Sequence, residues 1–222
     1  MNTSRSWVWK WGRAGVMCLF VFGGFAAPHL DKLQQLALSR YGEDVAKSVG
    51  EWRNMLPTLG GLDDVEKLER VNSFFNRRIR WVDDRELWQQ DDYWASLLET
   101  MAKGAGDCED FVIAKYVSLL IAGMPESKLR LTYVRLQQQA NAEPVAHMIL
   151  AYYPNPVAEP LILDNVDGEI KPASRRTDLS PVYSFNATHL WFRGPHAYSA
   201  DPTARISRWR DVLARLQAEF TL

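Results

Sequence analysis

Cysteine is nearly absent from this 222-residue chain, which has only Cys18 and Cys108. A disulfide-stapled scaffold is therefore excluded. Positive charge is not in surplus either. The 26 Lys and Arg stand against 27 Asp and Glu, a formal charge of -1, so the phosphate grip of a nucleic-acid binder is missing. Beyond the N-terminus no apolar run approaches the roughly 20 residues of a membrane span. Internal repeats and low-complexity stretches are also missing, and with them the fibrous and disordered classes. What remains is 47% apolar and 12% aromatic, with nine Trp. That suits a soluble domain with a dense core or an aromatic-lined groove.

The N-terminus points to export. Residues 1–13 carry Arg5, Lys10 and Arg13 and no acid, and an apolar run, Ala14 to Ala27, follows. Gly24 and Ala26 suit the small positions before a cleavage point, so residues 1–26 read as a secretory signal and 27–222 as one mature domain. The run is too short to anchor the chain, and Cys18 sits inside it rather than at its end, which does not fit a lipoprotein signal. Without its three N-terminal cations the mature chain carries a charge near -4 and a single thiol, Cys108. An unpaired thiol in an exported protein is a reactive group, an intermolecular partner or a sealed core residue.

Periodicity predicts helices first. Residues 30–56 are helical on Leu30, Leu33, Leu36 and Leu38, then Val45, Val49, Trp52 and Met55, with a break at Gly42. Asp63 or Asp64 caps a helix whose stripe is Val65, Leu68, Val71, Phe74, Phe75 and Ile79. Residues 81–94 are irregular, Ser96 to Lys103 is a short helix, and Gly104-Ala-Gly106 is a tight loop. The segment from Asp107 to Ala122 is apolar nearly all round beyond its first turn and reads as a buried central helix ended by Gly123 and Pro125. The period then changes to two. Strands are predicted over 130–136, 145–153 and 160–164, with more strand at 183–185 and 190–192. Asp201-Pro202 opens a last helix carrying Ile206, Trp209, Val212, Leu213, Leu216 and Phe220. Helices, an antiparallel meander and a closing helix make an α+β fold with one core.

Cys108 falls in the first turn of the central helix, where unpaired N–H groups and the helix dipole favour a thiolate. His147 lies on the second predicted strand and shares a face with Ile149 and Ala151. If that strand and the next pair with a register pivoting on the Pro154–Pro160 loop, Asp164 stands opposite His147. There it would fix the imidazole tautomer and leave the other ring nitrogen to the thiol. Each residue alone is more often structural than catalytic; together they are the parts of a papain-like acyl-transfer site. His29, His189 and His196 fall outside this geometry. Asp107, Glu109 and Asp110 flank the sulfur and would raise its pKa. A hard cation held by oxygen ligands, Ca²⁺, would neutralise them, and a solvated acidic cap is the alternative.

The blocks Gly104–Tyr116, Leu129–Val134, His147–Pro154, Leu161–Asn165 and Pro181–Asn186, with Val71–Asn76 and Asp92–Ala95 upstream, resemble the bacterial transglutaminase-like cysteine proteinases. The likeness covers roughly residues 50–190. It implies a papain/transglutaminase-like fold with Cys108 as nucleophile, His147 as base and Asp164 as orienting acid. It also implies calcium bound by Asp107 and Glu109, with Asp110 a further ligand. Members of this kind are periplasmic endopeptidases that cut a large surface adhesin in its N-terminal region, at a small-residue site. The resemblance further implies that cleavage releases the adhesin and promotes biofilm dispersal, and that an inner-membrane cyclic-di-GMP receptor sequesters the protease when the second messenger is high. Ala95-Ser96 stands where the family pattern carries a Thr-Pro-like pair. The Cys108 N–H is an oxyanion donor on this reading, and Tyr93-Trp94 is the candidate region for a second. Two other readings remain open: a transglutaminase or amidase acting on cell-wall peptide through the same triad, and a non-catalytic exported protein that binds calcium or a partner.

Overall fold

A helix that is apolar on nearly every side has to be kept from water, and this chain does so by building outward from one buried helix. The computed structural model describes residues 27–192, 197–198 and 201–221; the signal segment expected at 1–26 lies outside them, as does His196. Two antiparallel-type neighbours come first, α1 (Ala27–Tyr41) and α2 (Glu43–Met55). Then come α3 (Asp64–Arg78), strand β1 (Arg80–Trp81), one turn of helix α4 (Asp84–Leu87) and α5 (Leu97–Lys103). Strand β2 (Ala105–Gly106) leads directly into the central helix α6 (Cys108–Ile121). After it run β3 (Leu129–Leu136), β4 (Val145–Tyr152), β5 (Leu161–Leu163), β6 (Lys171–Pro172), β7 (Leu179–Phe185), β8 (Leu190–Phe192) and β9 (Ala197–Tyr198). Two helices, α7 (Pro202–Arg205) and α8 (Ser207–Thr221), close the described chain.

The strands β3 to β9 form one antiparallel sheet in the order β6-β5-β4-β3-β7-β8-β9. Leu129, Leu131, Met148, Leu150 and Leu163 turn one face of it to the core shared with α6. The helices close the opposite side of α6. Trp52 of α2 donates through Nε1 to Ser118 Oγ at 2.8 Å, and Trp209 of α8 meets Tyr116 edge-on at 5.8 Å between ring centroids. Residues from Glu109 to Leu120 are buried throughout, including Lys115 and Ser118. The sheet's other face carries a smaller core of Val134, Ile149, Ala151 and Ile162.

The local signals act as their chemistry requires. Asp63 caps α3 in a reciprocal capping box with Glu66, and Ser96 does the same for α5 with Glu99, so the departure from a Thr-Pro-like pair leaves this helix start capped. Gly104 ends α5 in the left-handed region at φ 56°, where a Cβ would be strained.

Four expectations need correction. Leu38 and Val65, placed on apolar stripes, point outward at the ends of their helices. The segment 81–94 is not wholly irregular, since α4 and part of β1 lie within it, and the 104–106 loop contains β2, parallel to β1. The last helix is interrupted: Asp201 caps only α7, and Ile206 is extended before α8 begins. The strand register differs by two. Leu150 stands opposite Leu163, which puts Asp164 level with Ile149 and not with His147. The pairing is pivoted later in the Pro154–Pro160 loop. Because side chains alternate with period two, a shift of two keeps Asp164 on the face of His147.

Candidate active site

The first residue of α6 is Cys108, half-buried and unpaired as a cysteine among the described residues. It sits beside a gap in the sheet. Strand β5 pairs only with Leu150, Ala151 and Tyr152, so the earlier part of β4 has no neighbour on that edge. The Met148 N–H on this stretch hydrogen-bonds the Cys108 sulfur. His147, the residue before it, lines the same cleft of about 600 Å³ as Cys108, with Trp94, Tyr133, Tyr183 and Arg208 among the other walls.

His147 is buried, and its Nε2 lies 2.8 Å from Asp164 Oδ1. That bond leaves Nδ1 as the ring nitrogen available to the cleft. Asp164 follows the last residue of β5, and the chain turns there. Its Oδ1 also accepts from the Val166 N–H at 3.0 Å, and its Oδ2 is 2.8 Å from the buried guanidinium of Arg176. Burial works to raise this carboxyl, but the bond to His147, the imidazole charge, Val166 and Arg176 outweigh it and hold Asp164 at about 2. Arg176 is itself gripped by Asp178 through Nε and Nη2 at 3.0 and 2.7 Å. Behind the turn, the Asp164 carbonyl accepts from Asn76 Nδ2 at 2.8 Å and from the buried Lys115 Nζ at 3.1 Å.

The sulfur's surroundings oppose ionisation. Burial, and then the charges of Glu109 and Asp107, push the Cys108 thiol well above its ordinary value, and Sγ donates to Glu109 Oε2 at 3.0 Å. The helix start therefore does not by itself yield a thiolate. Burial and mutual repulsion likewise raise the acids: Asp107 to about 9, Glu109 to about 7, and Asp110 far above the carboxylate range. Three buried oxygens here, Asp84 Oδ1, Asp107 Oδ1 and Asp110 Oδ2, have no hydrogen-bond partner among the described residues. Asp84, Asp107 and Asp110 each bring an oxygen within 4.8 Å of the others, and Asp84, Asp92 and Glu109 form a second such group. Orphaned, mutually repelling carboxylate oxygens in an all-oxygen set fit a hard divalent cation such as Ca²⁺.

Gly106 is required by this packing. A Cβ there would lie 2.5 Å from Asp110 Oδ2, while Asp110 Oδ1 holds the Ala95 N–H at 2.7 Å. Asp84 and Asp92 escaped sequence reasoning; the paired acids Asp83-Asp84 and Asp91-Asp92 in an otherwise aromatic stretch were the available signal. Arg176 and Lys115 had none. The Tyr93 N–H, in the region considered for a second oxyanion donor, is bound to Asp84 Oδ2, and its hydroxyl to Glu99. His189 stacks on Trp191, outside the cleft.

Comparison with known proteins bears on the family and the fold. No curated protein matches the chain. The EGTA-treated structure of Legionella pneumophila LapG is 40% identical, covering 84% of this chain and 97% of that one, with a TM-score of 0.74. The calcium-bound form of the same Legionella protein is 39% identical over 84% of this chain and 98% of that one, with a TM-score of 0.71. The sequence pattern of the bacterial transglutaminase-like cysteine proteinases, BTLCP, matches residues 51–185. The fold is accordingly the papain-type, transglutaminase-like one. The chain belongs to the bacterial transglutaminase-like cysteine proteinases.

Proposed function

We propose that the protein is a calcium-dependent cysteine endopeptidase of the periplasm, with Cys108 as nucleophile, His147 as general base and acid, and Asp164 as the residue that orients the imidazole. The observation that carries this reading is the Asp164–His147 pair at 2.8 Å in the cleft that Cys108 opens into. Asp164, kept ionised by Arg176, holds the Nε2 proton and stabilises the imidazolium. Nδ1 takes the thiol proton, the sulfur attacks the scissile carbonyl, and the same nitrogen protonates the departing amine. Water then releases the acyl group as a carboxylate. The Cys108 N–H, unpaired in the first turn of α6, is an oxyanion donor. Asp107, Glu109 and Asp110, with Asp84, would hold Ca²⁺, whose charge offsets the acids that keep the thiol protonated.

The family resemblance supports the finer statements. Residues 1–26 direct export and 27–222 act as one domain. The substrate is the N-terminal region of a large surface adhesin, whose release promotes biofilm dispersal, and an inner-membrane cyclic-di-GMP receptor holds the protease inactive. No helix among the described residues is long and apolar enough to cross a membrane.

The test is cleavage of a recombinant adhesin N-terminal segment with calcium or with EGTA. Wild type should give a fragment ending in a free carboxylate, and Cys108→Ala should give none. Cleavage by Cys108→Ala removes the nucleophile assignment, a new amide in place of the carboxylate makes the enzyme a transferase, and full activity in EGTA removes the cation.

A further inference from the structure

On the sheet face turned away from α6 lies a second hollow, of about 420 Å³, floored by Thr132, Ile149, Ala151 and Ile162. It shares a single lining residue, Tyr183, with the cleft of Cys108. Arg130, on β3 opposite Ala151, lines it. Its guanidinium is clamped between the ring of Tyr153, 4.0 Å away, and the ring of Trp191, 4.2 Å away. Arg130 is only 5% exposed, and its Nε is buried with no acceptor among the described residues. No acid among them acts on it: burial lowers its pKa, and only Tyr153, in part through a hydrogen bond to its hydroxyl, opposes that. Residues 193–200, which follow β8, contain no Asp or Glu.

The contrast with Arg176 is informative. That buried arginine is matched by two carboxylates, Asp164 and Asp178, whereas Arg130 has rings on both faces and nothing charged. Rings satisfy the faces of a guanidinium but not its N–H edge, which is built to take a carboxylate in the plane. The neutral Tyr153 hydroxyl is the one hydrogen-bond partner given to it and the Nε–H has none; a desolvated cation so incompletely matched is costly, and the edge calls for an anion from outside. The rim says what kind. Val157 is 89% exposed and Val182 is 39% exposed, both bordering the hollow. Exposed apolar side chains around a charged centre fit a protein segment, since a small free acid would leave them in water.

We propose that this groove docks an extended segment of another protein, its carboxylate seated on Arg130 and its flanking apolar side chains against Val157, Val182 and Ile149. The proposal does not depend on the endopeptidase reading, because the Cys108 cleft contributes nothing to it beyond Tyr183.

The test uses the ¹⁵N-labelled protein and a panel of blocked heptapeptides with a central Asp flanked by Val, Leu or Phe. Titration should move the Trp191 indole signal and saturate at or below about 1 mM for at least one peptide. The Asn counterpart of that peptide should bind about tenfold more weakly or worse, as expected for loss of a charge-assisted pair. Arg130→Lys, which keeps the charge but loses the flat fork, should weaken it similarly. Val157→Asp places a rival carboxylate on an exposed loop, so it decides the matter should Arg130→Lys fail to fold. Cys108→Ala should bind as wild type does, which separates this result from any failure of cleavage. The proposal is overturned if no Asp peptide moves the indole, if the Asn peptides bind equally, if Val157→Asp changes nothing, or if acetate alone binds as tightly as the peptides.

Discussion

Removing divalent cations should make the stability of this protein fall more steeply as pH rises from 5 to 7, and restoring calcium should lessen the slope to the part owed to Glu219, which burial raises to about 7 outside the cluster. The cause is the acid cluster at the start of α6. Glu109, almost wholly buried, moves from an ordinary 4.5 to about 7, through burial first and the charge of Asp110 next. Between those two values the folded cation-free protein binds more protons than the unfolded chain, so stability drops as pH climbs. A shift of about 2.5 units corresponds to roughly 3 kcal/mol in total, about 2 kcal/mol of it between pH 5 and 7. Asp107 and Asp110 are displaced in the same direction, so that figure is a floor. Lys115 has the opposite sign but titrates chiefly above about 7, outside the window. A bound Ca²⁺ would replace the protons, and its binding near pH 7 should release them. Urea unfolding at pH 5, 6 and 7, in EGTA and in millimolar calcium, reads the slope, and calorimetry in buffers of different ionisation enthalpy reads the protons. A flat profile in EGTA, or identical slopes with and without calcium, refutes the reasoning.

Asp164→Asn should cost roughly 2 to 3 kcal/mol at neutral pH, because a carboxyl held at about 2 stabilises the fold above its unfolded value of 3.8 and loses that contribution as pH falls toward 2. The variant's acid-unfolding limb should be flatter and its cleavage at least about a hundredfold slower; an unaltered acid limb contradicts the charge assignment. Gly106→Ala forces Asp110 away from a Cβ 2.5 Å from its Oδ2; calcium affinity should fall at least about tenfold and stability by about 1 to 3 kcal/mol, and wild-type affinity by calorimetry would count against the cluster. Lys115→Met removes an ammonium that burial lowers to about 7, while Asn76 still holds the Asp164 carbonyl at 2.8 Å. The folded wild type gains stability as pH rises from about 7 toward 10.5, so the variant's advantage should be larger at pH 6 than at pH 9, and a loss at both argues against it.

Which parts of this molecule could be read from sequence follows from how local their causes are. The apolar run after Cys108 required burial on all sides, and α6 has it. The Asp63 and Ser96 caps act within three residues of themselves. The strands were visible in their alternation, yet their register was misplaced by two, because the loop's conformation, not its length, sets the pivot. The His147 and Asp164 side chains still meet, since an even error preserves the face. Arg176, Asp84 and Lys115 act on the site across 12, 24 and 49 positions respectively from Asp164, Cys108 and Asp164. Nothing local marks them: an arginine, a helix-start aspartate and a mid-helix lysine are ordinary where they stand.

The two halves of the site balance opposing charges, and that balance argues for a single device. On the β4 side the cationic Arg176 sits behind Asp164, so the carboxylate facing His147 is ionised at any ordinary pH. On the α6 side the acids crowd one another, with Arg208 paired only to the outlying Asp92, and they hold the proton on sulfur. The Met148 N–H and the amides of the helix start pull the other way, but their partial charges are small beside those of Glu109 and Asp107. A fold selected only for stability would not collect orphaned acids against a thiol, because each one buried without a partner is destabilising. Their placement makes sense if an external cation completes the cluster. The thiol's ionisation then depends on that ion, while the Asp164 carboxylate behind the imidazole is ionised without it.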